Sequence, residues 1–223
     1  MTAHSSTPLA AVLWDMDGTI VDSEPAWIRA QAALAAEHGA RWGAEDAQAL
    51  IGSTMEQTVR SLQSAGVALD DESVAERLEN EVIAALHEGV SWRPGALELL
   101  RETAAAGVPQ AIVTTSSRRL AEVVVAALGV ALATVVTGDD VRHGKPDPEP
   151  YLLAAERLGV AIAACVAIED SPTGLAAAIA SGATAVGVPH DAVLEEGADR
   201  TLLSTLAGTG VEDLRRLVAR RAE

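Results

Sequence analysis

The stretch Leu9-Ala10-Ala11-Val12-Leu13-Trp14-Asp15-Met16-Asp17-Gly18-Thr19 frames the reading of the whole chain. Apolar residues run unbroken from Leu9 to Trp14 and end in two carboxylates one residue apart. A short continuous apolar run closed by a turn predicts a strand buried on both faces. Carboxylates at the mouth of such a strand are costly to desolvate unless a cation or a chemical task accompanies them. The plain alternative is an Asp-Gly turn after a strand. What separates the two is whether distant residues converge on the same turn.

Behind this turn the pattern changes. From Pro25 to Glu88 there are helical periods and no convincing strand. Trp27, Ala30 and Leu34 recur on one helix face, with Pro25 in the first turn and Gly39 at the end. Short helices are expected at about 44–50 and 54–65. A longer one, with Val74, Leu78, Val82 and Ala85 on one face, is begun by Asp70-Asp71 and ended by Gly89.

From Arg93-Pro94-Gly95 onward helices and apolar strands alternate. Helices at about 96–106, 118–128, 149–158 and 173–181 precede strands at 110–113, 132–136, 163–168 and 183–188. A last short strand at 201–203 and a helix at 211–221 complete the chain. Continuous apolar strands spaced by helices predict an α/β fold with a Rossmann-like parallel sheet, helices on both faces. The first strand belongs to that sheet. The helical stretch is then an inserted all-helical domain, giving a core of 1–20 and 93–223 and an insert of 21–92.

The bulk composition narrows the partners. Of 223 residues, 49% are hydrophobic but only 2% aromatic, with no Phe, so the interior is built from Ala, Val, Leu and Ile. A net charge of -16 argues against nucleic acid and anionic membranes, which call for basic patches. An anionic substrate would need a local positive charge. The single cysteine, Cys165, permits no intrachain disulfide and reads as a small core residue. Met1 to Pro8 lacks the basic-then-apolar pattern of a signal peptide. A cytoplasmic monomer is the expectation.

Ligands of open parallel sheets bind beyond the carboxyl ends of the strands. After the first strand come Asp15 and Asp17; after the second, Thr114-Thr115-Ser116-Ser117; after the third, Gly144-Lys145-Pro146; after the fourth, Glu169-Asp170-Ser171-Pro172. Each group has a bland reading. The hydroxyls could cap a helix, Lys145 could be a loop lysine, and Ser171-Pro172 could open a helix. Together they put four carboxylates, a hydroxyl cluster and one lysine on one sheet edge. Phosphoryl transfer needs such a set. Hard oxygens suit Mg²⁺, a lysine neutralises phosphate, and one carboxylate attacks while another handles the proton.

In this order Asp15-Met16-Asp17-Gly18-Thr19, Thr114, Lys145-Pro146 and Glu169-Asp170 resemble the four motifs of the haloacid dehalogenase superfamily. The helical insert resembles the C1 cap of its β-phosphoglucomutase and phosphoglycolate-phosphatase-like branch. The resemblance implies that Asp15 is the nucleophile and Asp17 the acid/base. It implies that Asp15, the Asp17 backbone carbonyl and Asp170 hold Mg²⁺, with Glu169 a direct or water-mediated partner. Thr114 and Lys145 would bind the transferred phosphoryl group, with Lys145 also restraining Asp15. Backbone donors of Met16, Asp17 and Thr115, together with Ser116, would complete the substrate side. Asp22-Ser23-Glu24-Pro25-Ala26-Trp27 resembles sugar-phosphate phosphatases of this branch, which puts Glu24 and Trp27 at a cap hinge. Gly52 would belong to the substrate-facing part of the cap.

The resemblance implies a Mg²⁺-dependent phosphatase for a small phosphorylated metabolite, a sugar phosphate in particular. Mutases of the branch carry an arginine closely after a glycine in the first part of the cap. Here Leu50-Ile51-Gly52-Ser53-Thr54-Met55-Glu56 has none before Arg60, which favours a phosphatase. A phosphosugar mutase remains the alternative. A receiver-type phosphorylation switch has no helical insert and carries its aspartate after a middle strand. A catalytically silent sugar-phosphate binder would have no need of both Asp15 and Asp17.

Overall fold

A computed structural model describes residues 9–50 and 53–221. Six strands form one sheet: β1 (Ala11–Trp14), β2 (Gln110–Val113), β3 (Thr134–Val136), β4 (Cys165–Glu169), β5 (Thr184–Gly187) and β6 (Arg200–Leu202). Their order is β3-β2-β1-β4-β5-β6, and every pairing is parallel. The fold is therefore α/β, as the apolar runs predict. Strand order was not legible in those runs, because it depends on the side to which each helical crossover passes. The chain steps from β1 to β2 to β3 in one direction and from β4 to β5 to β6 in the other. The reversal between β1 and β4 opens the crevice where such sheets bind ligands.

Side chains alternate across the sheet. Ala11, Leu13, Ala111, Val113, Cys165 and Ala167 share a buried cluster with residues of α7 (Glu149–Leu158) and α8 (Pro172–Ser181). On the other face Trp14 Nε1 donates to Gln110 Oε1 at 3.0 Å, and Gln110 Nε2 donates to the Leu100 carbonyl of α5 (Ala96–Ala105). Both polar groups of that buried pair are thereby satisfied. Helix α9 (Val211–Arg221) packs against β4 and β5, and α6 (Arg118–Leu128) links β2 to β3.

Several element ends differ from the sequence reading. β1 starts at Ala11 rather than Leu9, and β3 at Thr134 rather than Leu132. β4 starts at Cys165 rather than Ala163, because Ile162–Ala164 forms a 3₁₀ turn leading into it, and runs one residue further, through Glu169. β6 lies one residue earlier than expected.

The chain divides into two compact units, one of residues up to Val21 and from Trp92 on, the other Asp22–Ser91. The second consists of α1 (Glu24–Glu37), α2 (Ala44–Gln48), α3 (Met55–Ala65) and α4 (Asp71–Glu88). Thr54 opens α3 with a reciprocal cap: its Oγ1 accepts from the Gln57 N–H while Gln57 Oε1 accepts from the Thr54 N–H. Asp70 caps α4 through the Ser73 N–H. On α1 the buried face carries Ala26, Ala30, Gln31, Leu34 and Ala35, and Trp27 is half-buried. Ala30 and Leu34 of the expected Trp27-Ala30-Leu34 face are buried, and that face widens to Ala26, Gln31 and Ala35. Among the described residues no helix is long and apolar enough to cross a membrane.

Candidate active site

β1 delivers Asp15 to the crevice. The Asp15 N–H donates to the Ile168 carbonyl of β4 at 3.0 Å, so the ladder extends to the residue bearing the carboxylate. The carboxylate is 7% exposed as part of its residue. Past it the chain curls back: the Ile20 and Val21 N–H groups donate to the Met16 carbonyl, and the Gly18 N–H to the Val21 carbonyl. Gly18 has φ +83°, and a Cβ there would lie 2.1 Å from Asp170 Oδ2. Only glycine allows both the turn and the close approach of that carboxylate. Thr19 Oγ1 donates to Asp170 Oδ1 at 3.3 Å.

The turn after β2 faces Asp17. Ser116 Oγ donates to Asp17 Oδ2 at 2.7 Å, and Thr114 Oγ1 lies 3.5 Å from the same oxygen. Thr114 Oγ1 accepts from the Ser116 N–H, and Ser117 Oγ caps α6 through the Leu120 N–H. The hydroxyl run thus divides its labour, with Ser117 capping and Thr114 and Ser116 turned to Asp17.

Lys145 reaches the site from the loop between β3 and α7. That loop is tied down by Glu149, whose carboxylate accepts from the Arg142 and His143 N–H groups at 3.0 Å. Lys145 Nζ donates to Asp15 Oδ1 at 2.6 Å and to the Val113 carbonyl at 2.8 Å, and stands 2.6 Å from Glu169 Oε1. An ammonium has three donors, and these three acceptors match them. Tyr151 OH donates to Glu169 Oε1 from the first turn of α7, and the ammonium sits 5.3 Å from the Tyr151 ring centroid.

The electrostatics follow from this packing. Burial pushes Glu169 and Asp170 upward as acids, and the Asp15 charge adds to it, with Lys145 opposing. For Lys145 burial favours the neutral amine, but Asp15 and Glu169 outweigh it and hold the ammonium charged. Burial, followed by the Glu169 charge, raises the Tyr151 phenol well above its ordinary value, so it stays a donor.

Asp15, Glu169 and Asp170 each offer an oxygen within 4.8 Å of the others. Three carboxyl groups face one ammonium, with Asp15, Lys145 and Glu169 all buried. Glu169 Oε2 is buried without a hydrogen-bond partner among the described residues. An all-oxygen, anionic set of this kind fits a hard divalent cation such as Mg²⁺. The Asp17 carboxylate is turned to Ser116, so any part Asp17 takes in holding a cation falls to its backbone.

The structure thus gathers Asp15, Asp17, Thr114, Ser116, Lys145, Glu169 and Asp170. Thr115 is exposed beside them, and Met16 is fully buried, its carbonyl taken up by the Ile20 and Val21 N–H groups. Glu24 and Trp27 lie on α1 of the helical unit; Gly52 lies outside the described residues. Sequence reasoning missed Tyr151. Its signal was its singularity: it is the one tyrosine in the chain, six residues after Lys145.

The family model of haloacid dehalogenase-like hydrolases matches residues 9–182. Hexitol phosphatase A of Escherichia coli (strain K12) is 38% identical over 185 residues, covering 80% of this chain and 83% of that protein. Fructose-1-phosphate phosphatase YqaB of the same organism is 33% identical over 80% of this chain and 96% of its own length. Among solved structures, CbbY from Rhodobacter sphaeroides in complex with phosphate superposes with a TM-score of 0.83 at 28% identity, over 92% of this chain and 99% of that one. The matched segment contains the whole carboxylate, hydroxyl and lysine cluster, and the chain belongs to the haloacid dehalogenase-like hydrolases.

Proposed function

We propose that the chain is a Mg²⁺-dependent phosphatase for small phosphorylated sugars or polyols, working through a phosphoaspartate on Asp15. The observation that carries this reading is the Lys145 ammonium held on Asp15 Oδ1 at 2.6 Å beside two further buried carboxylates. The names of the relatives, a hexitol phosphatase and a fructose-1-phosphate phosphatase, support the substrate class.

Asp15 attacks the phosphorus with an oxygen lone pair. The bond from phosphorus to the sugar oxygen breaks, and Asp17 gives its proton to the departing alkoxide. Asp17, now a carboxylate, takes a proton from a water that attacks the same phosphorus. The Asp15–phosphorus bond breaks, releasing inorganic phosphate and restoring both side chains. Lys145 and Thr114 hold the transferred group, and Ser116 keeps Asp17 aimed. Asp15, the Asp17 carbonyl and Asp170 would hold Mg²⁺, with Glu169 a direct or water-mediated partner; the ion supplies positive charge to the phosphoryl oxygens. Backbone N–H groups of Met16, Asp17 and Thr115 add donors.

In this reading residues 21–92 are the cap domain and 1–20 with 93–223 the phosphotransferase core, and Glu24, Trp27 and Gly52 contribute to sugar recognition. We take the enzyme to be a cytoplasmic monomer, in keeping with its net charge of -16 and one buried cysteine.

The test is a panel of hexitol phosphates, fructose 1-phosphate and glucose 1-phosphate, with phosphate release and glucose 6-phosphate formation followed together. Phosphate release that Asp15→Asn abolishes is expected. Glucose 6-phosphate formed without phosphate release would replace the phosphatase reading with a mutase. Parent-level turnover in Asp15→Asn would overturn the mechanism.

A further inference from the structure

Tyr151 is fully buried on α7, with its hydroxyl on Glu169 Oε1. That oxygen is also the one 2.6 Å from Lys145 Nζ. The ring face lies under the same ammonium at 5.3 Å, a distance at which the ring quadrupole attracts a cation. Tyr151 therefore touches both Lys145 and Glu169, one of the two carboxylates that share the ammonium.

The sharing matters because Lys145 is drawn in two directions. Asp15 Oδ1 and Glu169 Oε1 both lie 2.6 Å from Nζ. A Glu169 carboxylate with no other donor would concentrate its charge on Lys145 and draw it off Asp15. The Tyr151 hydroxyl occupies part of that charge and pins the oxygen. On the other side Glu169 has no room to swing: a Cβ on Gly174 would lie 2.0 Å from Oε2. Glu169 is thus clamped between α7 and α8.

We propose that Tyr151 is a positioning residue, acting through Glu169 and Lys145 to keep the ammonium on the Asp15 carboxylate. This rests on the reading of Asp15 as nucleophile. A tyrosine with a purely structural task would need only its ring, and phenylalanine would serve. The hydroxyl is what the proposal requires.

The experiment compares Tyr151→Phe, Asp15→Asn and the parent on an aryl phosphate at saturating Mg²⁺. Tyr151→Phe is expected to lower kcat about tenfold with KM within twofold, since one hydrogen bond to a charged group is lost. Glu169→Gln and the double variant complete a cycle, and their kcat effects should fall well short of multiplicative. A second readout needs no turnover and no substitution. Because the chain has one tyrosine, 3-fluorotyrosine labelling gives a single fluorine resonance. It should shift when inorganic phosphate and Mg²⁺ are added, as Lys145 turns to the phosphate. Parent kcat in Tyr151→Phe, independent effects in the cycle, or a resonance unmoved at saturating phosphate would overturn the proposal. If Asp15→Asn is dead while Tyr151→Phe matches the parent, the phosphatase reading stands and the role of Tyr151 falls. If Asp15→Asn turns over like the parent, both fall.

Discussion

Lys145 Nζ donates to Asp15 Oδ1 at 2.6 Å across 130 residues of sequence. The pair joins the ends of two structural stories: a strand that delivers a carboxylate and a tied loop that delivers a cation. It is buried on both sides, with 4% of the lysine and 10% of the aspartate side chain exposed. Removing the cation leaves the buried Asp15 and Glu169 carboxylates without their shared counter-charge. Breaking a buried pair by truncating one partner costs about 3–5 kcal/mol. Lys145→Ala should therefore lower the unfolding free energy by about that much and turnover by at least ~100-fold. Urea unfolding and steady-state kinetics on the same preparation check both. A variant as stable and active as the parent would remove Lys145 from the site.

The carboxylate cluster makes a separate prediction. Asp15, Glu169 and Asp170 crowd three oxygens within 4.8 Å, and a divalent cation relieves their repulsion. Binding to the native state alone, at a hundred times the Kd, adds about 2.7 kcal/mol. For a chain of this size that is roughly 5–10 °C in Tm. Saturating Mg²⁺ should raise Tm by such an amount, and Asp170→Asn should lose most of the rise. EDTA should remove activity and added Mg²⁺ restore it. Parent-level activity after EDTA would argue against the metal.

Gly174 gives a steric test. It lies in α8 with a helical backbone, so its conformation would suit alanine; the obstacle is space. A Cβ would meet Glu169 Oε2 at 2.0 Å and its other carboxylate oxygen at 2.2 Å. Glu169 is fully buried and held by Lys145 and Tyr151, so it has nowhere to retreat. Gly174→Ala should lose about 1–3 kcal/mol through overpacking and reduce kcat. Gly89→Ala, where a Cβ meets nothing within 4 Å, serves as the control and should leave both unchanged.

Much of this was legible because buried parallel strands advertise themselves as continuous apolar runs. β2, α6, α7 and α9 fall where periodicity puts them, and the chemistry-bearing residues other than Lys145 follow the runs directly. Strand order was not legible, since Leu13 and Ala167 are equally apolar whether their strands adjoin or lie apart. Tyr151 escaped for a related reason. An aromatic on the buried face of a helix looks like core until its hydroxyl is seen against Glu169.

Asp140 allows a prediction away from the chemistry. Burial pushes its carboxyl up. The Arg157 guanidinium and the Thr137 N–H and hydroxyl outweigh this and hold it well below its ordinary value of 3.8. Arg157 Nη2 donates to Oδ1 at 2.9 Å, the Thr137 N–H and Oγ1 donate to Oδ2 at 2.8 Å, and Arg118 also pairs with Oδ2. Arg118 in turn uses its own N–H on Asp139 Oδ2. The native state thus prefers the charged form more than the unfolded chain does. A carboxyl depressed on folding contributes stability above its unfolded value and loses it as pH falls toward the native one. Asp140→Asn should then cost about 2 kcal/mol near pH 7, from lost charge-assisted hydrogen bonds. The gap between parent and variant should hold down to about pH 5 and narrow steadily below pH 4. Urea midpoints from pH 7 to pH 3 measure it, and a gap that widens on acidification would reverse the sign of the argument.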